Sequence, residues 1–120
     1  MTGYIWQNSN VIAVRQGDSF VIRLQLKKGQ EVIDLTGSKV EMQVRRLDDN
    51  ELMFALQATE MDIKQGKVAL ILTPEQTKID VGDYKTDIQV TFADGTVNTI
   101  FPADVNRVAI FKITEQVTNG

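Results

Sequence analysis

A chain of 120 residues, 42% apolar and 24% charged, is long enough to close one hydrophobic core and too apolar for the disordered class. Its 13 basic and 16 acidic residues give a net charge of −3, with no basic run beyond Lys27-Lys28 and Arg45-Arg46, which argues against nucleic acid as a partner. Cysteine and histidine are both absent, so a disulfide frame, a zinc-thiolate site, a thiol nucleophile and a Ser-His-Asp triad fall away, and catalysis would rest on carboxylates alone.

From the N-terminus, Met1 to Gln7 lacks the basic and apolar regions of a signal peptide, and no run reaches the roughly 20 apolar residues of a membrane helix. A soluble, unsecreted chain with no membrane partner is expected. The first ten residues carry Tyr4, Ile5 and Trp6 followed by Gln7-Asn8-Ser9-Asn10, and are expected to form an arm outside the core. The only tryptophan is costly to leave in water, so the arm should fold onto its own sheet edge or bury itself in a neighbour.

Period-2 alternation then governs the chain. Phe20, Ile22, Leu24 and Leu26 face one way, with Arg23, Gln25 and Lys27 opposite. Turn residues at Lys28-Gly29-Gln30 and Asp34 to Ser38 bracket Val32-Ile33. Val40, Met42 and Val44 face inward, Asp48-Asp49-Asn50 closes a hairpin, and Leu52, Phe54 and Leu56 continue as an edge strand. A loop from Asp62 to Gly66 leads to Val68, Leu70 and Leu72. Thr73-Pro74-Glu75-Gln76 combines a Thr cap, Pro at the first helical position and Gln three residues on, which is a capping box for one helical turn. Tyr84, Thr86, Ile88 and Val90 form the next inward face, and Asp94-Gly95 a tight hairpin turn. Pro102 ends the returning strand and predicts an edge, a bulge or a change of sheet. Val108 to Ile113 closes the set in a phase that either face satisfies.

Seven or eight short strands without a βαβ rhythm predict an all-β, immunoglobulin-like antiparallel β-sandwich with one short helical turn. The expected organisation is an arm over residues 1–10, the sandwich over 11–114 and a tail over 115–120. Asp80-Val81-Gly82-Asp83-Tyr84 matches the D-x-G-x-Y pattern of a tyrosine corner, in which the Tyr hydroxyl bonds back to the chain upstream. Asp80, Gly82 and Tyr84 are therefore assigned to the fold.

Several clusters invite chemistry. Asp48-Asp49-Asn50-Glu51 lacks the ligand spacing of a calcium loop and is better explained by turn formation. Asp80 and Asp83 belong to the corner, and the glycines are scattered singly, with no phosphate loop. No cofactor or metal is expected. Arg45 and Asp87 face outward on strands that pair in such sandwiches and could lie side by side, as a surface ladder or as part of an interface.

A broader resemblance covers roughly residues 15 to 114. Arg15-Gln16-Gly17-Asp18-Ser19-Phe20, Ile33-Asp34-Leu35-Thr36-Gly37 and Gln43-Val44-Arg45 resemble the opening half of immunoglobulin-like domains in tailed-phage structural proteins. Gly66-Lys67-Val68, Gly82 to Gln89, Asp94-Gly95-Thr96-Val97 and Phe111-Lys112-Ile113-Thr114 are similar to the N-terminal domain of phage baseplate upper proteins. The resemblance implies a virion component assembled in the bacterial host cytoplasm. Its implied role is non-enzymatic docking to other tail or baseplate proteins, usually as a homo-oligomer. Candidate interface residues are Tyr4, Ile5, Trp6, Arg45 and Asp87. Members of that family usually continue into stalk or fibre segments, whereas here the sequence stops at Gly120, as a short homologue or a piece cut at a domain boundary would. A carbohydrate- or host-surface-binding module of the same fold is the alternative reading.

Overall fold

The computed structural model describes residues 2–4, 10–102 and 108–116. Twelve strands follow in chain order. They are β1 (Thr2–Tyr4), β2 (Val11–Arg15), β3 (Phe20–Gln25), β4 (Lys27–Lys28), β5 (Glu31–Val32), β6 (Lys39–Arg46), β7 (Leu52–Gln57), β8 (Thr59–Asp62), β9 (Lys67–Leu72), β10 (Gly82–Thr91), β11 (Val97–Phe101) and β12 (Ala109–Thr114). A 3-10 turn spans Ile63–Gln65, and the helix α1 spans Pro74–Thr77.

The strands form two layers. One sheet has the order β1-β3-β9-β8; the other runs β2-β12-β10-β6-β7, with β11 also on β10; β4 and β5 make a separate ribbon. The alternating residues meet between the layers. Ile22, Leu70 and Leu72 from the first sheet and Met42, Val44, Ile88, Val90, Phe111 and Ile113 from the second are all buried. Phe54 approaches Phe111 edge-on with ring centroids 5.8 Å apart. The fold is an all-β immunoglobulin-like sandwich with one short helix.

The helix forms where the capping box requires it. Thr73 Oγ1 accepts from Gln76 N at 3.3 Å and Gln76 Oε1 accepts from Thr73 N at 2.9 Å, satisfying two orphan donors of the first turn. Thr77 then points into the core, where its hydroxyl donates to Asp18 O at 2.7 Å and so ties α1 to the β2–β3 turn.

Strand phases were legible except where a bulge intervenes. In β7, Val44 faces Phe54 but Arg45 faces Leu52, so Met53 is an extra residue. Leu52 is thereby turned onto the outer face and lies 45% exposed, out of phase with Phe54 and Leu56, which lie opposite the buried Val44 and Met42. The ambiguous closing strand resolves through its partner. Ala109, Phe111 and Ile113 lie opposite Thr86, Tyr84 and Gly82, and cross-strand partners share a face, so these three are inward and Val108 is outward. The turn at Asp94-Gly95 is a three-residue loop between Phe92 and Thr96. Among its non-flanking residues Gly95 alone takes a positive φ, of 90°, while the Asp94 carboxylate accepts from Thr96 N.

The N-terminal segment was expected outside the core. Its backbone at Thr2–Tyr4 pairs with the edge of the first sheet, in parallel register with Val21 to Arg23 of β3, which is one of the two placements expected for the arm. Ile5 and Trp6 lie outside the described residues. Among the described residues, β1 of the arm, the two-residue strands β4 and β5, and β8, which falls in a stretch with no clean alternation, account for the excess over eight strands. Among the described residues, no helix is long and apolar enough to cross a membrane.

Candidate functional site

Strand β10 is the centre of the six-stranded sheet, and its outer face carries Lys85, Asp87 and Gln89. On one side it pairs with β6 from Tyr84 to Thr91. On the other, its second half pairs with β11 and its first half with β12. Ile88 faces Phe101 and Thr86 faces Ala109, so the two ladders leave Asp87 alone between them, with residues 102–108 as the intervening sequence. Pro102, which cannot donate to a ladder, opens this insertion, and the strand resumes in the same sheet at Ala109.

A depression of about 440 Å³ lies over this break, lined in part by Gln43, Arg45, Lys85, Asp87, Pro102 and Val108. Arg45 is held in place by its own strand and the adjoining turn. Its Nη1 donates to Asn50 O at 3.0 Å, and its Nη2 and Nε donate to Gln43 Oε1 at 3.2 and 3.3 Å. The register sets Arg45 opposite Lys85 and Asp87 opposite Gln43. The expected pair is therefore diagonal, two like charges stand directly opposite, and Asp83 and Asp87 flank Lys85 two residues away on either side, Asp83 being paired with Lys112. Partial burial pushes the Asp87 carboxyl up from the usual aspartate range, with the Arg45 charge acting against it.

The corner residues lie at the far end of β10. Gly82 has φ of 148°, in the region that disfavours side chains, and two residues later the Tyr84 hydroxyl donates to Asp80 O at 2.6 Å. Burial raises the Tyr84 hydroxyl pKa, and the nearby Asp80 charge adds to this. Asp83 pairs with Lys112 on the neighbouring strand at 3.0 Å. Asp80 is thus bonded through its backbone and Asp83 through a lysine, an arrangement for holding the chain.

The acidic turn is also internally occupied. Asp48 Oδ1 accepts from Asp49 N and from Arg46 Nε, and Asp49 Oδ1 accepts from Glu51 N. The Arg46 guanidinium holds the Asp48 carboxyl below its ordinary range. Among the described residues no group of three or more acidic side chains is placed to hold a metal ion.

A second surface was not singled out by sequence reasoning. It is a groove of about 1020 Å³ between the end of β3, the β4–β5 ribbon and β11. Its floor includes Leu24, Leu26, Ile33, Phe92 and Ile100, and Lys27 and Lys28 stand at its rim. The available signal was the composition of β11 itself. Val97-Asn98-Thr99-Ile100-Phe101 carries no charge, and charge is the usual protection of an edge strand.

A two-layer sandwich with a tyrosine corner, flat polar faces and open sheet edges defines an immunoglobulin-like structural domain. The BppU N-terminal domain family model matches residues 3–101, and the chain belongs to that family, the N-terminal domain of baseplate upper proteins. It is accordingly a phage baseplate structural module. In structure it is similar to the N-terminal domain of phage TP901-1 ORF48, with a TM-score of 0.54 at 14% identity, covering 96% of this chain and 94% of that one. A weaker similarity is to CopC from Methylosinus trichosporium OB3b, with a TM-score of 0.49 at 12% identity over 93% and 89% of the two chains. The likeness to the phage domain is one of fold. No curated protein matches the sequence.

Proposed function

We propose that this domain is a non-enzymatic docking module that holds neighbouring tail or baseplate proteins together in the virion. The observation that carries the reading is membership of the baseplate upper protein N-terminal family over residues 3–101. The absence of histidine and cysteine supports a role without chemistry, and the exposed sheet edges supply surfaces for protein partners. Self-association into a ring or trimer is part of the proposal, with Tyr4, Ile5 and Trp6 in one contact and Arg45 and Asp87, on the outer face of the other sheet, in a second.

The test is to purify particles of a phage carrying this gene and locate the protein by gold-labelled antibody, in parallel with a gene deletion. Label at the tail tip and deletion particles that lack distal tail structure are expected. Purified particles free of the protein, with intact tails in the deletion, would overturn the docking reading. Removal of residues 1–10 should lower the oligomer size measured by sedimentation while leaving the sandwich folded; unchanged sedimentation would remove the N-terminal segment from the contact.

A further inference from the structure

We infer that the groove between β3 and β11 receives an extended segment of another protein, rich in acidic and apolar residues, which adds as a strand to the free edge of β11. This deepens the docking reading above and rests on it.

Three features of the groove converge on such an occupant. The first is a row of unused backbone groups. In the β10–β11 ladder Phe92 N donates to Thr96 O, so the alternation of an antiparallel pair turns the N–H and C=O of Val97 and Thr99 away from β10. Among the described residues no strand pairs with that side of β11, and β1 covers β3 only from Val21 to Arg23, short of Leu24. Among the described residues, two sheet edges therefore open onto one groove. The second is the apolar floor: Leu24, Ile33, Phe92 and Ile100 are only partly buried while packing against the core. An added strand places alternate side chains on these residues and hydrogen-bonds through its backbone, which is how strand addition combines affinity with selectivity.

The third feature is charge. Lys27 and Lys28 are exposed at the rim, on a chain whose net charge is −3. That local sign selects an acidic segment. A second copy of β11 is less suited, because Val97 to Phe101 has no acidic residue to meet the two lysines.

The probe is a synthetic peptide of about eight residues with Val and Glu alternating, long enough at about 3.3 Å per residue to span the edge. A control peptide carries Lys in place of Glu. Each is titrated into the isotopically labelled full chain and followed by NMR. The expected result is binding of the Glu peptide with shifts confined to β11 and residues 24–28. Binding should weaken as salt rises and fall by about tenfold or more in the K27E/K28E variant. Thr99→Pro removes an outward N–H without touching the β10 ladder and should also abolish binding; if that variant unfolds, the lysine variant carries the test.

Equal binding of both peptides, no binding up to about 1 mM, or shifts elsewhere on the sandwich would each overturn the inference. So would a requirement to delete residues 1–9 first, which would assign the groove to the chain's own N-terminus. Self-association through β11 that excludes the peptide would assign it to a second copy. A failed titration with the protein still present in virions removes this groove and leaves the docking reading standing, whereas absence from virions removes that reading whatever the peptide does.

Discussion

The hydroxyl of Tyr84 reaches back four residues and donates to the carbonyl oxygen of Asp80 at 2.6 Å, closing the loop between α1 and β10. Tyr84 is itself 7% exposed and the bond is part-buried, so water competes for it only in part. Tyr84→Phe keeps the ring and removes the donor. It should cost about 1–2 kcal/mol by leaving the Asp80 carbonyl unsatisfied, seen as a lower urea midpoint with an unchanged slope. An unaltered midpoint would show that solvent satisfies that carbonyl.

Gly66 and Gly29 provide a matched comparison, because both adopt positive φ, at 72° and 64°. A Cβ on Gly66 would stand 2.7 Å from Leu26 O and 2.8 Å from Ile33 O, both backbone atoms, whereas a Cβ on Gly29 meets nothing within 4 Å. Gly29→Ala should cost about 1 kcal/mol from the left-handed backbone alone. Gly66→Ala should cost at least about twice that, because the β4–β5 ribbon must move away. Thermal unfolding of the two variants side by side checks the ordering, and equal losses would contradict it.

Thr77 and Thr73 separate a buried hydroxyl from an exposed cap. Thr77→Val leaves Asp18 O without its 2.7 Å donor in a part-buried site and should destabilise by about 1–2 kcal/mol. Thr73→Ala loses the cap on a single turn, worth about 1 kcal/mol or less. Hydrogen exchange should speed up locally at the β2–β3 turn in Thr77→Val and not in Thr73→Ala.

Asp87 gives a pH signature. Its folded pKa is raised by burial, so the folded state holds the proton more tightly than the unfolded state does. That contribution to stability is complete below the ordinary aspartate range and is lost as pH rises through the elevated folded value. Asp87→Asn removes the dependence. The variant should match the wild type at low pH and exceed it at neutral pH by a fraction of about 1 kcal/mol, since the group is only partly buried and solvent screens it. Denaturant midpoints from pH 2 to pH 7 would show the two curves parting with rising pH; curves that part in the opposite sense would reverse the assignment of burial as the cause.

The core and the corner were readable from the chain. Val40, Met42 and Val44, or Ile88 and Val90, alternate with polar residues because each strand has one wet face, and that periodicity is written locally. The capping box and the corner are also local, since Thr73 with Gln76 and Asp80 with Tyr84 meet within one or two turns of chain. Family membership followed from the order of such pieces.

What pairs with what was decided only by the assembled sheets. Whether Ala109, Phe111 and Ile113 or Val108 and Ile110 face inward depended on the register with Tyr84 and Thr86, and the outward turn of Leu52 depended on a bulge against Arg45. The same applies to Arg45 and Asp87, whose diagonal placement follows from a register spanning some forty residues of sequence. Alternation fixes which residues share a face of one strand, but a shift of two residues along a neighbouring strand preserves every face and changes every partner. The break opposite Asp87 and the two edges that open on the β3–β11 groove arise from that longer-range choice, so the surfaces proposed for docking exist only in the folded sandwich.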